Sequence, residues 1–336
     1  MAPRIGALWD AVGDTPLLRI GSLSRATGNE ILGKAEFMNP GGSIKDRAAK
    51  GMIGRAEAEG LLRPGSTLVE GTAGNTGIGL GLLGRERGYR VVVTMPDNQA
   101  REKYELLEAL GVEIQRGPVV PFANPEHFFH RARALAEREG WFWANQFENL
   151  ANGDFHAETT GPEILAQCEG RVDVLVSSVG TGGTISGVSR HLKSRRPETR
   201  VVLADPAGSG LYSWVKEGKV EGTGTSITEG IGIMRVTENF RRAQIDEAMR
   251  VSDQEMIEML YHLAREDALV VGTSAALNVR AAYEIARRHQ GEGLRIVTFL
   301  CDHGSRYASK VFDRGFLAGK GLEPRALPPV SDPPPR

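Results

Sequence analysis

Cysteine is scarce in this sequence. Cys168 and Cys301 are the two in 336 residues. They lie far apart and share no spacing that suits a metal site or a disulfide framework. This fits a reducing compartment, and a cytoplasmic location is expected. Long hydrophobic runs are missing as well. No stretch of about 18 apolar residues occurs, so no segment is expected to span a bilayer. The start, MAPRIGALWDAVGDTPL, lacks the continuous apolar stretch of a signal peptide. Neither charge sign is in excess. Lys and Arg number 41 against 42 Asp and Glu, for a formal net charge of −1. That gives no electrostatic reason to expect nucleic acid or an anionic membrane as the main partner. No fixed-period repeat is visible.

What is there has ordinary globular composition, 40% hydrophobic and 25% charged, in a chain long enough for two domains or one large one. Strand-like and helix-like patterns alternate. Strands are expected near 30–38, 66–71, 89–96, 112–117, 172–180, 200–206 and 294–302. Helices are expected near 45–61, 74–88, 100–111, 126–140, 184–196, 252–268 and 275–290. Ser252 followed by Glu255 reads as a capping box opening one of them. The strands are short, apolar and mostly non-alternating, which favours a largely parallel sheet covered on both faces. Residues 206–250 are glycine-rich and show no assignable pattern. The closing stretch RALPPVSDPPPR is rich in proline and is expected to be a disordered tail.

Four glycine-rich turns follow expected strands: NPGGSIK (39–45), GTAGNTG (71–77), VGTGGT (179–184) and VGTSAA (271–276). In open parallel α/β sheets ligands bind where strand ends feed helix starts, because backbone N–H groups are unpaired there and the helix dipole favours an anion. VGTGGT is the strongest phosphate candidate. Gly180, Gly182 and Gly183 allow close backbone approach, and Thr181 and Thr184 add hydroxyls. No Lys-Ser/Thr follows, so it is not a Walker loop. Position 185 is isoleucine, so it is not the G-x-G-x-x-G of nicotinamide-binding turns. A tight turn with no ligand stays open at this point.

Lys45 stands at an expected helix start, after Pro-Gly-Gly-Ser. A cation there faces an unfavourable dipole, which lowers its pKa, as desolvation does. A neutral amine is the nucleophile that forms a Schiff base with an aldehyde.

The stretch Asn39-Pro40-Gly41-Gly42-Ser43-Ile44-Lys45-Asp46-Arg47 resembles the pyridoxal-phosphate lysine motif of the cysteine synthase and cystathionine β-synthase family. Gly13-Asp14-Thr15-Pro16-Leu17, Thr72-Ala73-Gly74-Asn75-Thr76-Gly77, Thr159 to Ile164, Gly180 to Thr184 and Glu229-Gly230-Ile231-Gly232 resemble further motifs of that family in order and spacing. The likeness covers about residues 10 to 320, and its nearest pattern is a bacterial cysteine synthase without haem or regulatory domains. It implies pyridoxal-phosphate enzyme fold type II: α/β, two three-layer domains with mostly parallel twisted sheets. Residues 40–150 would form a smaller mobile domain and 12–39 plus 151–320 a larger one, with 321–336 as the proline-rich tail. A homodimer is implied.

The resemblance also implies roles. Lys45 would hold pyridoxal 5′-phosphate as a Schiff base and then remove the substrate α-proton. Asn75 would hydrogen-bond the ring hydroxyl oxygen, and Gly180, Thr181, Gly182, Gly183 and Thr184 would bind the phosphate. Ser274 would face the pyridine nitrogen. Thr72, Ala73, Gly74 and Thr76 would hold the substrate carboxylate, with Gln146 as a further donor, and Gly230 would face the substrate. A neutral serine beside the pyridine nitrogen leans the chemistry toward β-elimination, giving an aminoacrylate to which a nucleophile adds.

Two departures bear on this. Ala73 replaces a usual serine and removes one hydroxyl. Ser274-Ala275-Ala276 replaces a run that usually ends in glycine; if that backbone is left-handed in relatives, an alanine must force another path, and otherwise the change is silent. The expected activity is β-replacement, O-acetyl-L-serine plus sulfide to L-cysteine and acetate. The alternatives are a cystathionine β-synthase or another β-substituted alanine synthase using serine or O-phosphoserine, and a catalytically silent relative that binds a peptide in the same cleft. His303 is expected at the rim, and Cys301 as a small buried hydrophobe.

Overall fold

A computed structural model describes residues 6–327. Ten strands form two sheets: β1 (Leu17–Arg19), β2 (Glu30–Lys34), β3 (Thr67–Gly71), β4 (Arg90–Pro96), β5 (Glu113–Gly117), β6 (Phe142–Trp143), β7 (Val174–Ser177), β8 (Arg200–Pro206), β9 (Glu247–Val251) and β10 (Arg295–Phe299). One sheet has the order β1-β2-β10-β7-β8-β9, the other β5-β4-β3-β6. Every pairing is parallel except β1 with β2.

The near-continuous apolar strands follow from burial on both faces. In the six-stranded sheet Val174, Val176, Val202, Ala204 and Ile296 pack into one core, against the helices Asp253–Glu266 and Thr273–Arg288. The alternate residues Leu175, Val201, Leu203, Val297 and Phe299 pack into another, with Ile185, Val188 and Leu192 of the helix Gly183–Arg195. The four-stranded sheet does the same. Leu68, Val91 and Val93 face the helices Lys45–Ala58 and Asn75–Glu86, while Val69 and Val92 face Ala132, Leu135 and Ala136 of the helix Phe128–Glu139. Both units are therefore three-layered.

Several expectations need correction. The strand expected to 38 stops at Lys34, and Glu36–Met38 is a short 3-10 turn. Residues 206–250 hold helices Leu211–Glu217 and Glu238–Arg241 as well as β9. Ser252 and Glu255 do form the reciprocal capping box. The tail is not free from its start, since Leu322 and Leu327 pack against the core; residues 328–336 lie outside the described residues. The alanine at 276 needs no special path. It sits in the first turns of the helix Thr273–Arg288 and donates to Gly272 O at 3.1 Å; its φ is not positive. Among the described residues, no helix is long and apolar enough to cross a membrane.

Candidate active site

The turns after β2, β3, β7 and β10 open toward one cleft of about 340 Å³ between the sheets, as does Ser274; the turn 271–276 was expected after a strand but follows the helix Asp253–Glu266. Lys45, Thr72, Ala73, Gly74, Asn75, Thr76, Gln146, Gly180, Thr181, Gly182, Thr184, Gly230 and Ser274 all line it. Gly183 is buried as the first residue of the helix Gly183–Arg195.

Lys45 is the first residue of the helix Lys45–Ala58, and its N–H donates to Ser43 Oγ at 3.2 Å. The turn before it is tied to the far end of the chain. Ser43 bridges Asp302, and Ile44 N donates to Cys301 O at 2.8 Å. Among the described residues, Lys45 Nζ has no hydrogen-bond or ion-pair partner. Burial lowers its pKa; Cys301 and Asp302 oppose that, and Lys103 adds to it. The site thus favours a free, reactive amine.

Opposite it, Gly180–Gly182 curve into the N-terminus of the helix Gly183–Arg195. Gly182 has φ 88°, and a Cβ there would lie 2.6 Å from Phe240 N. A Cβ on Gly180 would lie 2.1 Å from Gly230 O. Gly232 N donates to Val179 O at 3.0 Å, so the 230–232 loop runs against the glycine turn. Helix-start N–H groups and the Thr181 and Thr184 hydroxyls are a donor set that could hold an anion. Asn152 Nδ2 donates to Thr181 Oγ1 at 2.9 Å, and His156 Nε2 lies 3.3 Å from Thr184 Oγ1. Burial drives the His156 pKa well down, so the imidazole is neutral. His156 opens a π-helical turn, His156–Thr160, the kind of distortion that re-aims side chains.

The loop after β3 turns on Gly74, with φ 127°, where a Cβ would lie 2.6 Å from Lys103 Cδ. Thr72 Oγ1 accepts from Gly74 N at 3.0 Å. Thr76 Oγ1 donates to Gln146 Oε1 at 2.5 Å. Gln146 was expected to donate to a carboxylate, yet both of its side-chain N–H groups are engaged inward, to Gly71 O at 2.8 Å and Glu70 Oε1 at 3.2 Å. Its carbonyl orients Thr76. Burial outweighs the hydrogen bonds from Gln146 and raises the Glu70 carboxyl to about 8.

Lys103, Lys310, Asp302, Arg306 and Arg235 were not singled out from sequence. Glu229 accepts from Lys103 Nζ at 2.5 Å, from Ala100 N at 3.1 Å and from Lys310. This ties the helix Arg101–Ala109 to the 229–232 loop across the cleft. Asn75 Nδ2 donates to Asp302 Oδ2, and Arg306 donates to Asn75 Oδ1. Arg235 pairs with Glu148 and lies over Phe122, Phe129 and Phe147 at 4.5, 4.8 and 4.9 Å in the outer wall of the cleft. His303 is exposed and caps the turn Gly304–Tyr307, a rim position. Cys301 lies at the cleft, against the Ser274 hydroxyl, and burial pushes its thiol up to about 12. It is therefore an unreactive group. Among the described residues, no cluster of His, Cys, Asp or Glu has metal-site geometry.

A family profile for pyridoxal-phosphate dependent enzymes matches residues 8–302. The chain is 50% identical over 321 residues to cysteine synthase 1 of Neurospora crassa, covering 94% of this chain and 85% of that one. Among solved structures it is similar to an O-ureido-L-serine synthase, with TM-score 0.85, 36% identity, and 93% and 96% coverage. It is also similar to an O-acetylserine-dependent cystathionine β-synthase from Helicobacter pylori, with TM-score 0.84, 30% identity, and 92% and 98% coverage.

Proposed function

Since the chain belongs to the pyridoxal-phosphate dependent enzyme family, we propose that it makes L-cysteine from O-acetyl-L-serine and sulfide by β-replacement. The cofactor fits the residues present. An unpartnered amine, Lys45, shares one cleft with a glycine turn that side chains would fill, and that turn opens a helix N-terminus able to take a phosphate. When bound, pyridoxal phosphate supplies the electron sink that stabilises a substrate carbanion.

The residues divide the work. Lys45 would hold the cofactor through its amine and would then move the substrate α-proton. Gly180 to Thr184 would bind the phosphate, Asn75 would contact the ring oxygen, and the neutral Ser274 hydroxyl would face the ring nitrogen. Thr72, Ala73, Gly74 and Thr76 bind the substrate carboxylate mainly through N–H groups, with Gln146 holding Thr76 in place. Gly230 faces the substrate. Residues 40–150 act as the smaller unit, closing on 12–39 plus 151–320; the separate core of each sheet supports that division. A cytoplasmic homodimer completes the reading.

The observation that carries the proposal is the approach of Lys45, the 72–76 loop and the 180–184 turn to one cleft, in a chain this similar to a cysteine synthase. The test is the visible spectrum of the purified protein. A yellow band absent from Lys45→Ala is expected, and it should change when O-acetylserine is added. No response to that compound, with a response to serine or O-phosphoserine, would overturn the substrate assignment.

One feature favours an organic thiol as a second nucleophile. The outer cleft is walled by Phe122, Phe128, Phe147 and Arg235, more surface than hydrosulfide needs. Comparing kcat/KM for sulfide and for a thiol amino acid separates the two readings.

A further inference from the structure

Asn75 is held from behind by residues that no motif in the sequence pointed to. Its side-chain amide has two N–H groups and one carbonyl oxygen. One N–H donates to Asp302 Oδ2 at 2.6 Å, and the carbonyl accepts from Arg306 Nη1 at 2.8 Å. Turning the amide over would set its oxygen against a carboxylate and its NH2 against a guanidinium. The network therefore fixes which end is which, the usual ambiguity for an asparagine.

Both partners are themselves fixed. Asp302 is fully buried, and its Oδ2 also accepts from Tyr307 OH at 2.5 Å. It is pressed against Gly272, where a Cβ would lie 2.1 Å from Oδ1. Arg306 is buried and donates its other Nη to Gly41 O, in the turn before Lys45. Asp302 Oδ1 is buried without any hydrogen bond. A carboxylate kept half-satisfied in the interior is destabilising; here it orients the one amide that projects from the start of the helix Asn75–Glu86 into the cleft.

We infer that Asp302 and Arg306 are positioning residues that act through Asn75, locking its amide so that an N–H, and not the carbonyl, is presented to the ring oxygen of the cofactor. The inference rests on the reading that Asn75 contacts that ring. It makes the pair selective for a cofactor whose substituent at that position accepts a hydrogen bond.

The test is a double-mutant cycle on the full-length protein, with Asn75→Ala, Asp302→Asn and the double variant. Two quantities are read: the dissociation constant of pyridoxal phosphate from stripped protein, and the position of the visible band of reloaded protein. Asn75→Ala and Asp302→Asn are each expected to raise the dissociation constant about tenfold, as for loss of a charge-assisted hydrogen bond, and to move the band. The double variant should be no worse than Asn75→Ala alone, within about twofold. If Asn75→Ala moves both quantities and Asp302→Asn moves neither, or if the two losses multiply, the inference is overturned while the reading of Asn75 stands. If Asn75→Ala itself moves neither, the contact of Asn75 with the ring fails, and this inference falls with it. Arg306→Lys completes a parallel cycle with the same expected non-additivity, should Asp302→Asn not fold.

Discussion

The turn that carries Lys45 rests on a buried ionic cluster, and one substitution there gives a sharp test. Arg47 Nε donates to Glu36 Oε2 at 2.8 Å, and its Nη1 and Nη2 donate to Glu163 at 2.6 and 2.7 Å. Lys34 Nζ lies 2.7 Å from Glu163 Oε2. Burial alone would raise the Glu163 carboxyl, but Arg47 and Lys34 outweigh it and hold it down at about 2, from an ordinary 4.5. That difference corresponds to about 3 kcal/mol in favour of the charged form. Glu163→Gln removes it. With an unfolding entropy of roughly 2 cal/mol/K per residue, the loss is about 4 °C in Tm for a chain of this length.

The sign with pH follows from the depressed value. The contribution is fully present above the unfolded value of 4.5 and is lost as pH falls toward 2. The gap in Tm between the native protein and Glu163→Gln should therefore be constant from pH 7 to pH 5.5 and shrink to about half by pH 3. Differential scanning calorimetry across that range measures it. A gap that is absent at pH 7, or that does not change down to pH 3, refutes the account of this cluster.

Other outcomes follow from the same coordinates. Glu70 has the opposite sign: its folded value, about 8, lies above the ordinary 4.5, so its burial destabilises the fold increasingly as pH rises from 4.5 to 8. Glu70→Gln should then gain stability over the native protein across that window; thermal melts at pH 5 and pH 8 show whether the gap widens. Ala276→Gly should leave kcat and KM unchanged and lower stability by about 1 kcal/mol, because the position is ordinary helix; a changed kcat would contradict this. Gly180→Ala should weaken cofactor binding at least about tenfold, since its Cβ would meet Gly230 O; cofactor titration reads this directly. Glu229→Gln should reduce kcat/KM by about tenfold or more, because it leaves Lys103 in the cleft wall without its carboxylate; unchanged kinetics would show that the 229–232 loop does not need that tie.

The longer strands and helices are legible in the sequence because their apolar runs and helical spacings are long enough to carry a period. β1, β6 and β9 are short or polar at their ends and carry none, which is why they escape such a reading. The segment 151–167 mixes Gly153, Pro162 and a π-helical turn, and these hide its helicity. In the site, the glycine turns and Lys45 are legible because several such turns in one chain carry hydroxyl or amide side chains, and one of them ends at a lysine. Asp302 and Arg306 do not, because their meaning arises only when residues 227 and 231 positions away from Asn75 are brought beside it. A faint signal existed: two charged residues, Asp302 and Arg306, lie within seven positions of the end of the apolar β10. Gln146 shows the reverse case, where a residue lies in the cleft but the direction of its amide is set by Glu70 and Gly71. Ala276 shows that a residue's unusual identity says little about backbone handedness until the helix around it is known.

The bridge between Ser43 and Asp302 has a consequence for biosynthesis. On the ribosome, β2 and the lysine turn emerge early, but β10, which lies beside β2 in the sheet, and the residues that anchor the turn arrive roughly 260 positions later. A nascent chain must carry an unpaired strand edge through most of its translation, a state that invites association with other chains. Vitamin loading can follow only once the last sheet strand has docked, so chaperone demand and coenzyme supply should be felt at the same late moment.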